Sequence, residues 1–198
     1  MRKALSVAIL FVFACALGYA GDAEKNIKNY IAAGEYENAA KLIPQLLQED
    51  PKDYDAHILA GDIHFELDQY QQAYDMYVKA YDLDDENEAL QKQGLSLAKL
   101  GKIQQAVAVC QKSIKDDKKS AQNYIALAKV YLIADSTDAA KLAIARARDL
   151  DNKNPEPSIL MGELYYNQKV YELAVSNLTD ALALSPNNVE ARTKKALS

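Results

Sequence analysis

The sequence predicts an all-α fold, an α-solenoid of about five helix–turn–helix repeats that ends in a polar capping helix. The main observation is that one pattern of small, large and turn residues returns about every 34 residues. The second is the composition, since the 198 residues include 7 glycines, 5 prolines and no tryptophan, and 26% of them are charged. This composition is typical of a helical protein, and the length fits one medium-sized domain or one repeat array.

An alanine in the middle of each predicted second helix shows the repeat most clearly. The five alanines are separated by 34, 33, 34 and 34 residues: Ala39, Ala73, Ala106, Ala140 and Ala174. Twelve positions upstream of each alanine is a first-helix residue that is small in four of the five repeats: Ile27, Gly61, Gly94, Ala128 and Gly162. Small side chains at both positions allow the two helices of a repeat to cross closely.

Turn residues separate the two helices of each repeat, at Gly34, Asp68, Gly101, Asp135 and Lys169. The predicted array spans residues 21–188, with repeats near 22–53, 54–86, 87–120, 121–154 and 155–188. One helix pair cannot bury its apolar face alone, so stacked pairs are needed for a continuous core. Residues 189–198 begin another helix in which Arg192 and Lys195 stand at core positions. We therefore expect a polar capping helix or the start of a truncated repeat there.

This spacing resembles that of the tetratricopeptide repeat (TPR) family. The fifth repeat, LMGELYYNQKVYELAVSNLTDALALSPNN, fits the family pattern best, and the second, LAGDIHFELDQYQQAYDMYVKAYDLDDEN, is close to it. The resemblance covers about residues 22 to 188, although Asn26 stands where the family usually has Leu. Pro44 lies inside the second helix of the first repeat, where it removes a backbone donor and is expected to kink the helix.

The resemblance implies a partner-binding groove, because in this family the first helix of each repeat lines the concave wall. Carried over by position, the groove residues are Lys28, Ile31, Ile58, Asp62, Phe65, Glu66, Gln91, Lys99, Ile125, Lys129, Leu132, Ile159, Glu163 and Tyr166. Some family members clamp a C-terminal carboxylate with Lys and Asn, but that pair is absent at the corresponding positions here. We therefore expect an internal segment or a folded partner.

An apolar stripe runs along three of the first helices. Its members stand seven residues apart and so lie on one helix face: Ile58 with Phe65, Ile125 with Leu132, and Ile159 with Tyr166. An apolar stripe on a wall that faces solvent indicates a bound segment. The alternative is that these residues pack against the next helix pair. Four charged groove residues alternate in sign along the repeats, which favours a peptide of mixed charge: Lys28, Asp62, Lys129 and Glu163.

Residues 1–20 differ in character from the rest of the chain. A basic start, MRK, precedes the apolar run ALSVAILFVFACAL and small residues at positions 18 and 20, which is typical of a signal peptide cleaved after Ala20. Two alternatives remain: an uncleaved anchor, since Ala4 to Gly21 carry no charge over 18 residues, and a lipoprotein modified at Cys15. We predict an exported protein of the bacterial periplasm or cell envelope, with any membrane association confined to residues 1–20.

Charge and motif content argue against several function classes. The formal net charge is −5, and no basic cluster is large enough to bind a phosphate backbone, so we expect no nucleic-acid partner. The chain lacks a nucleophile elbow, a Walker loop, HExxH and CxxC. His57 and His64 are seven residues apart on a predicted helix, too far to share a zinc ion. We predict no enzyme, metal or cofactor, and expect Cys110 to be a buried core thiol.

The leading hypothesis is an exported scaffold that binds a protein or peptide segment in its concave groove. The alternative is a membrane-tethered structural adaptor, held by an uncleaved leader or by lipidated Cys15. A third hypothesis, an enzyme or a carbohydrate-binding accessory protein, would use Asp62, Glu66 and Glu163.

Overall fold

The structure is a computed structural model that describes residues 23–197. In this part of the chain every regular element is a helix: α1 (residues 23–32), α2 (Tyr36–Ala40), α3 (Ile43–Glu49), α4 (Tyr54–Glu66), α5 (Tyr70–Leu83), α6 (Asn87–Lys99), α7 (Ile103–Asp116), α8 (Ala121–Ile133), α9 (Thr137–Leu150), α10 (Glu156–Asn167), α11 (Tyr171–Leu184) and α12 (Val189–Leu197). The predicted signal peptide, its cleavage site and Cys15 lie outside the described residues. The all-α repeat class predicted from the sequence is confirmed.

The chain divides into two compact units. The N-terminal unit ends at Ala89, and the C-terminal unit begins at Leu90. Between Tyr54 and Leu184 the helices alternate as first and second members of a pair, in the register that the repeated alanines predict.

The turn between the two helices has the same conformation in every repeat. All five predicted turn residues have positive φ: Gly34 at 73°, Asp68 at 57°, Gly101 at 75°, Asp135 at 52° and Lys169 at 61°. In each repeat the following residue donates its backbone N–H to the carbonyl five residues earlier, as Gln69 does to His64 and Val170 to Tyr165, both at 2.9 Å. This left-handed cap satisfies carbonyls that the helix end leaves unpaired, and it turns the chain toward the second helix.

The second helix of the first repeat is interrupted. It is split into α2 and α3, and Pro44 lies in the first turn of α3. Proline has no N–H to donate to the preceding turn, but in the first turn of a helix that N–H would be unpaired anyway. The kink predicted at Pro44 is therefore a complete break between two short helices.

Close contact between the paired helices shapes the core. All five repeated alanines are fully buried, and the first-helix glycines face larger side chains. A Cβ added to Gly94 would lie 2.6 Å from the Cys110 sulfur, and one added to Gly162 would lie 2.7 Å from a Leu178 carbon. A Cβ on Gly61 would overlap the Tyr77 ring. The close crossing predicted from the small residues is confirmed.

The last helix, α12, covers one end of the C-terminal unit. Its Ala191 is fully buried in a cluster with Ile159, Leu178 and Ala181. Arg192 is exposed on the same helix, as expected of a polar cap.

We predict that Gly61→Ala lowers the free energy of unfolding by about 1–3 kcal/mol, because overpacking against Tyr77 outweighs the helix propensity that alanine adds. The fourth repeat supplies the control, since it has Ala128 at the position of Gly61 and Ile144 at the position of Tyr77. The double variant Gly61→Ala/Tyr77→Ile should recover part of the loss. Urea unfolding followed by circular dichroism measures both, and a Gly61→Ala variant as stable as the parent would contradict the close crossing.

Candidate functional site

The predicted groove residues all lie on first helices of the repeats. Lys28 and Ile31 are on α1; Ile58, Asp62, Phe65 and Glu66 on α4; Gln91 and Lys99 on α6; Ile125, Lys129 and Leu132 on α8; and Ile159, Glu163 and Tyr166 on α10. Their exposure to solvent divides them into a buried group and a surface group.

Three isoleucines of the predicted apolar stripe belong to the core. Ile58, Ile125 and Ile159 are 8%, 0% and 3% exposed. Each stands three residues before the small residue of the helix crossing, and Ile58 and Ile159 pack with residues of adjacent helices. The prediction that these three side chains face solvent is wrong. At these positions the alternative, packing against neighbouring helices, is correct.

The other predicted groove residues are partly or fully accessible. Lys28, Glu66, Lys99 and Tyr166 are exposed, and the remainder are half-buried: Ile31, Asp62, Phe65, Gln91, Lys129, Leu132 and Glu163. Gln91 makes an internal contact, since its amide donates a 2.6 Å hydrogen bond to the buried Asn123. A partner-binding role for this surface group stays a prediction.

A cavity of about 250 Å³ in the N-terminal unit brings three predicted groove residues together. We call it the α1/α4 cavity; its lining consists of Glu24, Lys28, Leu46, Asp53, Asp55, Ala56, Ile58, Leu59 and Asp62. Lys28, Ile58 and Asp62 were predicted, whereas the other members were not among the candidate site residues. Three of these six residues, Glu24, Asp55 and Leu59, stand one helical turn from a predicted one, which is the signal that could have identified them.

Helix periodicity places these side chains on the same wall. Glu24 and Lys28 are four residues apart on α1, and Asp55, Leu59 and Asp62 follow at intervals of four and three on α4. Asp53 caps α4, because its carboxylate accepts a 3.1 Å hydrogen bond from the backbone N–H of Ala56. The start of α4 is therefore fixed at the edge of the cavity.

The lining carries a net negative charge. Four carboxylates, those of Glu24, Asp53, Asp55 and Asp62, face the single ammonium of Lys28, which leaves a formal charge of −3. Lys28 Nζ lies 2.5 Å from Glu24 Oε1. This hydrogen bond is the main cause that raises the pKa of Lys28, and the charge of Asp55 adds to it. Lys28 therefore keeps its positive charge to a higher pH than a free lysine does. Its partner carboxylate, that of Glu24, is exposed to solvent.

A buried tyrosine anchors one of the cavity carboxylates. The hydroxyl of Tyr77 donates a 2.7 Å hydrogen bond to Asp62 Oδ1, although Tyr77 is only 2% exposed. Burial raises the pKa of Tyr77, with the negative charge of Asp62 acting in the same direction, so the hydroxyl stays protonated and donates. This contact was not predicted from the sequence. The sequence does carry a signal for it: Tyr77 ends in a hydroxyl, whereas the residues at the same position of the third and fifth repeats are Cys110 and Leu178.

A second cavity, of about 210 Å³, lies in the C-terminal unit and has a different charge balance. We call it the α10/α12 cavity; it is lined by Gly162, Glu163, Tyr166, Asn167, Leu178, Lys194 and Leu197. Lys194 Nζ lies 2.6 Å from Glu163 Oε2 and 3.2 Å from Glu190 Oε1. The predicted groove residue Glu163 is thus paired with a lysine of the capping helix, and the charged lining of this cavity sums to zero.

Lys129 is also paired within the C-terminal unit. Its Nζ lies 2.5 Å from Glu156 Oε1 on α10. Lys129 and Glu163 are two of the four residues whose alternating charges suggested a mixed-charge partner. Both of these charges are therefore balanced inside the unit.

The described residues hold no group of three or more His, Cys, Asp or Glu side chains placed to bind a metal ion. His57 is buried, with Nδ1 2.9 Å from the Asp53 carbonyl oxygen. Cys110 is fully buried, as expected, and burial raises the pKa of its thiol to about 12. No helix between residues 23 and 197 combines the length and apolar character needed to cross a bilayer.

Paired helices with left-handed turns and close crossings define the class of helical-repeat proteins. Two family models, both described as tetratricopeptide repeat, match the chain at residues 30–93 and 88–120. The chain is a tetratricopeptide repeat protein, as the sequence resemblance indicated. No curated protein matches it.

Solved structures of TPR proteins share this fold. The thermophilic TPR protein TTC0263 of Thermus thermophilus has a TM-score of 0.76 at 18% identity, over 90% of this chain and 97% of that one. A TPR protein from Parabacteroides merdae has a TM-score of 0.77 at 18% identity, over 99% and 78% of the two chains. YrrB, described as a TPR protein with an unusual peptide-binding site, has a TM-score of 0.53 at 20% identity, over 89% and 92%.

We predict that Tyr77→Phe lowers the free energy of unfolding by about 1–2 kcal/mol, because Asp62 loses a hydrogen bond to a buried donor while the ring is kept. Tyr74→Phe, at a half-buried tyrosine of the same helix, is the control and should change stability by less than about 0.5 kcal/mol. A double-mutant cycle with Asp62→Ala isolates the pair by urea unfolding. Equal effects of the two tyrosine changes would show that the Tyr77 hydroxyl contributes nothing specific.

Proposed function

We propose that the protein is an exported TPR scaffold that binds a segment of a protein partner on the first helices of its repeats. Its place of action is a bacterial periplasmic or cell-envelope assembly. The observation that carries the proposal is the α1/α4 cavity, which combines an apolar floor with a charged rim on consecutive first helices. This combination suits a protruding side chain of a partner.

Structural relatives support a binding role by analogy. TPR folds generally bind protein or peptide partners, and TPR proteins are generally non-enzymatic. YrrB is described as having an unusual peptide-binding site, and the structurally similar Cut9 is described in an APC/C hetero-tetramer with Hcn1. We propose a binding role without catalysis or cofactor for this chain. A nucleic-acid partner is not part of the proposal, since the net charge is −5 and the cavity lining is also acidic.

The export part of the proposal depends on residues 1–20. Fractionation of a bacterial host and intact-mass analysis of the purified protein test it directly. A chain that begins at Gly21 in the periplasmic fraction supports cleavage and export. A retained leader, or a lipid mass on Cys15, would favour the alternative of a membrane-tethered adaptor, which the uncharged stretch from Ala4 to Gly21 suggests.

We predict that filling the α1/α4 cavity weakens partner binding. Affinity capture from cell-envelope extract identifies the partner, and calorimetry with the purified partner then measures affinity. Leu59→Trp should weaken binding by about tenfold or more, because Leu59 lines the cavity and is only half-buried. Asp55→Ala, on the exposed rim, is a milder second variant in case the first disturbs folding.

The control is Leu142→Trp, at a side chain that is 74% exposed on the second helix α9. This variant should bind as the parent does. Unchanged affinity in both cavity variants, each with an unchanged melting temperature, would contradict the proposed site.

A further inference from the structure

We propose that the turn between α10 and α11 is a contact surface for the acidic N-terminal unit of a second copy of this chain. We call this surface the fifth-turn patch; it consists of Tyr166, Lys169, Val170, Tyr171 and Leu197, all of them exposed. Self-association through the patch does not depend on the partner segment proposed for the α1/α4 cavity. Three features support it: the residue types in the turn, the exposed apolar side chains around it, and the opposite charges of the two units.

The residue types in this turn differ from those of the other four turns. Lys169 has a φ of 61°, whereas the equivalent residues are glycine or aspartate, which adopt positive φ at lower cost. Val170 is the N-cap of α11 and makes no side-chain cap hydrogen bond, whereas a polar residue is the N-cap of each other second helix. Valine is among the poorest N-cap residues. Neither residue favours the local fold, which is typical of positions that serve another role.

Large apolar side chains lie on the surface beside Lys169. Tyr166, Val170 and Tyr171 are 39%, 41% and 45% exposed, and Leu197 is 66% exposed. The ring centroids of Tyr166 and Tyr171 are 5.7 Å apart, and Tyr166 lines the α10/α12 cavity together with Leu197, so these side chains are neighbours. The equivalent ring pair of the second repeat is half-buried. Exposed tyrosine and aliphatic side chains that form one patch are typical of a protein contact surface.

The two units of the chain carry opposite formal charges, which favours one partner for the patch. Residues 23–89 include 5 lysines and 16 aspartates and glutamates, a formal charge of −11. Residues 90–198 include 16 lysines and arginines and 11 aspartates and glutamates, a formal charge of +5. A C-terminal unit therefore attracts the N-terminal unit of another copy, whereas two C-terminal units repel each other. Because such a contact joins different surfaces of the two copies, further copies can add to the first pair.

Analytical ultracentrifugation of the purified protein measures the association. We expect the average mass to rise with concentration, and the association constant to fall about tenfold or more between about 50 mM and 500 mM salt, because salt screens the charges of the two units. The double variant Lys169→Gly/Val170→Ser takes residue types that other repeats have at these positions. It should unfold at the same or a higher urea concentration than the parent, and it should associate about tenfold or more weakly. Leu197→Ser is a second variant that should also weaken association.

The control is the double variant Leu142→Ser/Lys153→Gly. It removes one apolar side chain and one positive charge from exposed positions elsewhere in the C-terminal unit. This variant should associate as the parent does, which separates contact through the patch from general attraction between oppositely charged units.

Carbodiimide crosslinking of mixed unlabelled and isotope-labelled protein, read by mass spectrometry, identifies the partner, because this reagent joins a lysine to a carboxylate that it contacts. We expect Lys169 of one isotopic form to be linked to a carboxylate within residues 23–89 of the other. Links from Lys169 only to the C-terminal unit of the other copy, or no links from Lys169 in an associated sample, would refute the assigned contact. A protein that stays monomeric at every concentration, or a Lys169→Gly/Val170→Ser variant that associates as the parent does, would refute the patch itself.

Discussion

The close crossing of the two helices within each repeat is the constraint on which the rest of the structure depends. Fully buried alanines on the second helices, together with glycine or alanine on the first helix in four of the five repeats, bring the backbones near each other. Once this distance is fixed, the position of a residue relative to the crossing decides whether it is core or surface. Ile58, three residues before Gly61, is buried, whereas Asp62, directly after Gly61, reaches the α1/α4 cavity.

The two cavities show how one scaffold supports different surface chemistry. Both are lined partly by a first helix, and both include side chains at the helix crossing or one turn from it. In the N-terminal unit the exposed positions are mostly aspartate and glutamate, whereas in the C-terminal unit a lysine of the capping helix balances the glutamate. The repeat pattern fixes the backbone, and the residues outside the pattern determine the formal charge that lines each cavity.

Much of the fold could be predicted because the repeat signal is local and occurs five times. The left-handed turn residues, the buried alanines and the break at Pro44 all follow from residue type and spacing. The burial of Ile125 and Ile159 could not be predicted from residue type and spacing. A spacing of seven residues places two side chains on one helix face, but it does not say whether another helix covers one of them.

The site was less predictable because its contacts join residues far apart in the sequence. The hydrogen bond between Tyr77 and Asp62 spans 15 positions, and the ion pair between Lys194 and Glu163 spans 31. Helix periodicity relates neighbours three or four residues apart, so neither contact has a local signal. Each depends on which side chain of a facing helix is long enough and polar enough to reach across.

Tyr77 connects the interior of the N-terminal unit with the surface of that unit. Its ring fills the interior against Gly61, and its hydroxyl holds a carboxylate at the edge of the cavity. At the equivalent positions, Cys110 or Leu178 can be exchanged for another apolar residue of similar volume with little effect on what the exterior presents. At position 77 the same exchange would allow the Asp62 side chain to reorient. In descendants of this sequence, an apolar replacement at position 77 would therefore change the stability of the interior and the orientation of a surface carboxylate together.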